Sequence, residues 1–172
     1  MKQATVAVVG KDTRPGSHFV IGYSPVLISQ DAKRRLNDFR LSRIPVDLRI
    51  ERSMVSAAVE LSLADQELKD LMVQMATERV ATELEAGVPS TGNPLPGYTG
   101  VLIKDQIKHD LRYFGSRHTI SGDWRQTERV LATAAIEIVL KCERLHEKWV
   151  ELISSTVGWE VGHCFRSARI GS

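Results

Sequence analysis

Cysteine is scarce in this chain: two in 172 residues, Cys142 and Cys164, with no CxxC spacing between them. That leaves no disulfide framework and no zinc-binding pattern to build a fold on. Reduced thiols are the expectation, with Cys142 as a small core residue and a Cys142–Cys164 bridge as the alternative. Long hydrophobic runs are also missing; none approaches the roughly 18 residues of a membrane span. The first ten residues carry one Lys and too short an apolar stretch for a signal peptide. A cytoplasmic protein with no membrane partner is therefore expected. An excess of one charge sign is lacking too, since the formal net charge is +2, which neither demands nor excludes nucleic acid. Walker, dinucleotide-binding and Gly-x-Ser-x-Gly signatures do not occur. His163 and Cys164 are adjacent, but on a strand they would point to opposite faces, which argues against a catalytic pair. No metal or cofactor is expected.

What is present is the composition of an ordinary globular domain, 42% apolar and 26% charged, long enough to bury a core without metals. We read residues 1–172 as one α+β domain. Thr5–Val9 and His18–Tyr23 read as strands, separated by a Pro15-Gly16 turn. Ser29 is placed to cap a helix from Gln30 to about Leu41. Val46, Leu48 and Ile50 alternate with polar residues, which predicts a strand after Pro45. Arg52 to Leu61 reads as a further strand, although Met54, Ala57, Leu61, Ala64, Leu68, Leu71 and Met75 also follow helical spacing. A helix over Leu63–Ala86 stops at Gly87, and Val88 to Gly100 forms a long Gly/Pro loop. Val101 to Phe114 reads as an amphipathic helix.

The longest signal runs from Asp123 to Val157. Leu131, Ala135, Ile138, Cys142, Leu145, Trp149 and Leu152 recur at alternating four- and three-residue steps. This spacing predicts one coiled-coil-like helix, roughly 50 Å long at 1.5 Å per residue, whose seam needs cover from this chain or another subunit. Leu131, Ile138, Leu145, Trp149 and Leu152 are its candidate core or oligomer residues. Gly158 would end it, and alternation from Trp159 to Phe165 predicts a closing strand. The expected architecture is a small antiparallel sheet, from the N-terminal third plus the C-terminal strand, on two long and two shorter helices. No internal repeat is read.

From Lys33 to Arg52 there are seven basic and three acidic residues, while Glu60 to Glu85 carries seven acids against two bases. Such asymmetry points either to a phosphate-binding face or to contact between the two segments. Lys33, Arg34, Arg35, Arg40 and Arg43 are the candidate nucleic-acid-binding residues, with Phe39 the one aromatic among them. The order of a strand followed by two helices resembles that of ribbon-helix-helix repressors, whose strand is N-terminal and whose helices are short. The resemblance implies a nucleic-acid-binding regulator.

Reactive side chains are densest from Lys104 to Glu128. Asp105 and His109 would share a helix face. His118 and Asp123 flank a turn at a helix N-terminus, with Arg117 and Arg125 near enough to hold a phosphate or carboxylate. The His109-Asp110 dipeptide resembles that of HD-type metal phosphohydrolases. Those also need an upstream His on a helix, and the one upstream His here, His18, falls in a predicted strand. The leading expectation is a non-enzymatic interaction or assembly module that forms a homo-oligomer or binds another protein. A nucleic-acid-binding regulator and a small hydrolase centred on 105–123 are the alternatives.

Overall fold

The computed structural model describes residues 21–168, with side chains described through 158. Strand β1 (Tyr23–Ser29) runs into α1 (Gln30–Arg43), followed by α2 (Glu51–Leu63) and α3 (Gln66–Glu85). Strand β2 (Tyr98–Lys104) runs into α4 (Asp105–Ser116), followed by α5 (Trp124–Lys141) and α6 (His146–Ala168). The fold is α+β, a two-stranded antiparallel sheet covered by helices.

The order strand, helix, helix, helix occurs twice, and the two copies interlock about an approximate twofold. Val26, the middle of β1, faces Val101, the middle of β2, and Tyr23 faces Lys104 as Ser29 faces Tyr98. The residues match accordingly. Gly22-Tyr23-Ser24-Pro25-Val26-Leu27-Ile28 corresponds to Gly97-Tyr98-Thr99-Gly100-Val101-Leu102-Ile103, and Glu51-Arg52 opens α2 as Glu128-Arg129 stands in the first turns of α5. Both Gly22 and Gly97 turn the chain with positive φ (80° and 77°), a conformation that costs glycine little. The Gly97 carbonyl accepts from Gln30 N (2.9 Å) and the Gly22 carbonyl from Asp105 N (3.0 Å). Each strand ends on a hydroxyl from the other copy: Ser29 N donates to Thr133 Oγ1 (3.1 Å) and Lys104 N to Ser56 Oγ (3.0 Å). Lys33–Glu51 (3.3 Å) and Lys108–Glu128 (3.6 Å) are matching ion pairs. Arg52 lies over Tyr23 (5.3 Å) as Arg129 lies over Tyr98 (4.9 Å). The repeat that was not read from the sequence is thus present.

The core lies between the ribbon and the helices α2 and α5. Val26 and Ile28, with Val101 and Ile103, face inward; Pro25, Leu27, Gly100 and Leu102 face outward. Small buried residues, Ala57 and Ala58 on α2 and Ala134 and Ala135 on α5, line the two central helices where they pack directly on each other. Trp149 of α6 is fully buried and donates its indole N–H to Met54 O of α2 (3.0 Å).

Several expected elements differ. The strand over Thr5–Val9 and the first residues of His18–Tyr23 lie outside the described residues. Val46–Leu48 is a 3₁₀ turn, and 52–61 belongs to α2, so neither predicted strand forms. The Arg49 side chain donates to the Ile44 and Leu41 carbonyls (2.9 Å each), closing the end of α1 where a strand would need a ladder partner. The hydroxyls of Ser56 and Ser62 bond to carbonyls four residues back (2.7 and 2.9 Å), which lets a polar residue sit in a buried helix. Asp65 caps α3, its carboxylate accepting from Leu68 N (3.2 Å), so that helix begins at Gln66 and not at Leu63. Val101–Lys104 is strand, so the helix read over 101–114 begins only at Asp105.

The long helix of 123–157 is broken. It stops at Lys141, Cys142 turns extended (φ −104°, ψ 93°), and Glu143–Leu145 forms a 3₁₀ turn before α6. Straight continuation would carry Trp149 away from α2, whose face it fills. The closing strand expected at 159–165 is instead the last part of α6, so among the described residues the sheet consists of β1 and β2. Six helices, not four, occur among the described residues.

Because each copy's strand and central helix are covered by the other, neither can bury its apolar face alone. Fragments 1–91 and 92–172, meeting in the loop between α3 and β2, are expected to co-purify one-to-one when expressed together. Each alone is expected to be unfolded by circular dichroism. A single fragment that folds with native helicity would contradict the mutual burial.

Candidate functional site

Two groups of polar side chains stand out, one buried and one exposed. The buried group joins α3, β2 and α5. Arg129, only 2% exposed, donates to Glu83 Oε2 (2.6 Å), to Pro89 O (3.2 Å) and to Ser90 O. Tyr98 OH donates to Glu83 Oε1, and Gln126 donates to Glu83 Oε2 (2.8 Å). Burial raises the Glu83 carboxyl, but the hydrogen bonds from Arg129, Tyr98 and Gln126 and the Arg129 charge outweigh it, so the net shift is downward. Tyr98 is pushed up to about 12, by burial first and then by the carboxylate it donates to. The hydrogen bonds made here all go to protein groups, and Arg129 Nε is left buried without a partner. The cluster ties the loop after α3 to the core and holds the end of β2; it carries no open chemistry.

The exposed group lies where the end of α4 meets the start of α5. Asp123 caps α5, its carboxylate accepting from Arg125 N (2.8 Å). That places Trp124 at the helix start, 54% exposed, with the guanidinium of Arg112 4.4 Å and that of Arg125 5.2 Å from its ring. Tyr113, 61% exposed, carries Arg117 at 5.7 Å, and His118 packs on Phe114 at 4.6 Å. Arg112 and Lys108 both pair with Glu128, whereas Arg117 and Arg125 have no carboxylate partner among the described residues. Grooves run on either side of the C-terminal turn of α4. One, of about 420 Å³, is lined by Arg112, His118, Ser121, Gly122 and Trp124. The other, of about 730 Å³, is lined by Lys69, Asp110, Tyr113, Arg117 and His118.

Gly115 makes this corner possible. A Cβ there would come within 2.9 Å of Thr127 Cγ2 and 3.0 Å of Leu131 Cδ1, so α4 can lie this close to α5 only without a side chain. The matching position on α1 is Arg40, a residue too large for the same approach.

The residues expected to bind nucleic acid do not converge. Lys33 pairs with Glu51 and Arg34 with Asp31 (2.5 Å). Lys33 and Arg40 share one flank of α1, Arg35 lies on the other, and Arg43 sits at the helix end. The paired acids of α3 face elsewhere, Glu83 to Arg129 and Glu67 to Arg144 (3.7 Å). Of the hydrolase candidates, Asp105 accepts from Ser24 Oγ (2.5 Å), Asp123 is a helix cap and His109 is exposed. No three His, Cys, Asp or Glu side chains gather as metal ligands among the described residues. The seam residues Leu131, Ile138, Leu145 and Trp149 are buried, and Leu152 packs against them partly covered. Cys142 is a free, half-buried thiol. Reading the sequence by charge alone missed Trp124 and Tyr113; the signal that could have found them is an aromatic flanked by arginines. No protein family, curated protein or solved structure matches the chain.

Glu83→Gln leaves the buried Arg129 charge unpaired and is expected to cost about 3–5 kcal/mol in chemical denaturation. Since Glu83 titrates low in the folded state, the stability it lends is present above the ordinary glutamate range and lost as pH falls. Tyr98 titrates high, so its contribution is full below pH 10 and lost as pH rises toward 12; Tyr98→Phe should remove that alkaline arm. Gly115→Leu is expected to lose about 1–3 kcal/mol by overpacking. Gly115→Ala should also destabilise, by about 1 kcal/mol and less than the leucine, because its methyl meets the buried Thr127 and Leu131 side chains.

Proposed function

We propose that this protein is a non-enzymatic nucleic-acid-binding module acting in the cytoplasm, with the corner between α4 and α5 as its contact surface. One observation carries the reading: the two copies agree where the fold needs them to and differ here. Lys33, Leu36, Phe39, Glu51 and Arg52 recur as Lys108, Leu111, Phe114, Glu128 and Arg129. By the same matching, Arg112, Tyr113 and Arg117 stand where the first copy has Asn37, Asp38 and Ser42. Counted back from the shared Glu-Arg pair, Trp124 and Arg125 replace Asp47 and Leu48. The first copy folds without these arginines and rings, so their presence in the second is not a demand of packing. Arginine interleaved with exposed aromatic rings suits a ligand that offers both phosphate and π-faces.

Self-assembly, the leading expectation from sequence, drew on a long helix seam in need of cover. That seam is covered within the chain, which removes its call for a second subunit.

Fluorescence anisotropy of a labelled 20-nucleotide DNA, single- or double-stranded, tests the proposal. Binding is expected at low salt and should weaken along a straight log–log line as salt rises. Arg117→Gln with Arg125→Gln should reduce the magnitude of that slope by about 1–2. No measurable binding at about 50 mM salt, or binding indifferent to salt, would overturn it.

A further inference from the structure

We infer that the corner between α4 and α5 takes unpaired nucleotides, stacking bases on Trp124 and Tyr113 while Arg117 and Arg125 meet the phosphates. This deepens the nucleic-acid reading above and rests on it.

The ribbon supplies the first reason. A two-stranded ribbon reads a duplex by laying polar side chains against base edges in the major groove. The outward positions at the centre of the ribbon are Pro25, Leu27, Gly100 and Leu102, none of which carries a side-chain donor or acceptor, while on the same face Tyr98 is bonded to Glu83 and Lys104 to Thr156. The edge-reading face of a duplex binder is therefore missing, although the ribbon itself is present.

The corner supplies the second. Base faces are covered in a duplex and open in a single strand, so exposed rings can stack only on unpaired or splayed bases. Trp124 stays 54% exposed with two guanidinium groups beside it, and Tyr113 stays 61% exposed. Arginine planes stack on bases as aromatic rings do, so the Arg112–Trp124–Arg125 group extends the platform beyond one ring. Grooves of about 420 and 730 Å³ lie along the two sides of the α4 end, both touching His118, and each falls in the size range of a small-ligand site. Arg112 is held by Glu128 and serves as a stacking plane; Arg117 and Arg125, without carboxylate partners among the described residues, are the charges left for phosphate.

Tryptophan emission of the full chain, titrated with a twelve-nucleotide oligothymidylate, tests the inference. Quenching is expected in the wild type and should be lost in Trp124→Phe, whose affinity should stay within a few-fold. Trp124→Ala should weaken binding by about 5- to 150-fold, the range of one lost stacking contact, and Tyr113→Ala should weaken it in the same direction. Both rings are exposed, so unchanged melting temperatures will show that the variants fold. A duplex of the same length should bind at least ten-fold more weakly. Equal binding of duplex and single strand, or unchanged affinity in both alanine variants, would overturn this inference while leaving salt-dependent nucleic-acid binding in place. Displacement of the oligonucleotide by polyglutamate at matched charge would also overturn it, in favour of an acidic protein partner. Absence of binding to either nucleic acid would remove this inference and the proposed function together.

Discussion

The antiparallel pairing of β1 with β2, centred on Val26 and Val101, is the constraint on which the rest of the molecule depends. A two-stranded ribbon is only marginally stable by itself and needs helices packed on one face. Here those helices come crosswise, the central helix of each copy lying under the strand of the other. The hydroxyls of Thr133 and Ser56 then finish the strand ends of the opposite copies. Register follows at once, because a one-residue slip would turn Val26, Ile28, Val101 and Ile103 toward solvent.

From that pairing the asymmetry of the molecule acquires meaning. A fused pair of similar units is free to change one copy wherever the shared core does not object. The second copy has used that freedom twice. Gly115 lets α4 close on α5, and the sequence before Glu128-Arg129 brings Trp124 and Arg125 beside Arg112. Arg129, meanwhile, is committed to Glu83, Pro89 and Ser90, so it anchors the loop behind the corner while Arg117 and Arg125 face outward. Arginines only twelve and four residues apart in the chain thus do opposite work, Arg129 as buried structure and Arg117 and Arg125 as available charge.

Parts of this were legible in advance. Ser29 as the cap of α1, Gly87 as the stop of α3 (φ +68°) and Asp123 as the cap of α5 follow from local chemistry, which acts over one turn and needs no partner. Strand against helix in 46–61 was not legible, because Val55, Ala57, Val59 and Leu61 satisfy both periods when every side is buried. The break at Cys142 has no Gly or Pro to announce it. The corner was half legible: its residues lie in the segment densest in reactive side chains, but Arg112 and Trp124 are twelve positions apart and meet only because two helices pack. The repeat was legible in principle from Gly-Tyr-x-x-Val-Leu-Ile and Glu-Arg, and strand pairing makes it plain.

Sequence alone determined the class of the protein, α+β, together with several of its helix caps and its apolar positions. Those depend on residue type and spacing, which are local and survive without neighbours. Tertiary structure decided that the seam of the late helix closes inside the chain, that two similar halves cover each other, and that arginine and aromatic side chains gather at one corner. Such outcomes turn on which distant surfaces bury each other, a quantity no window of the chain contains.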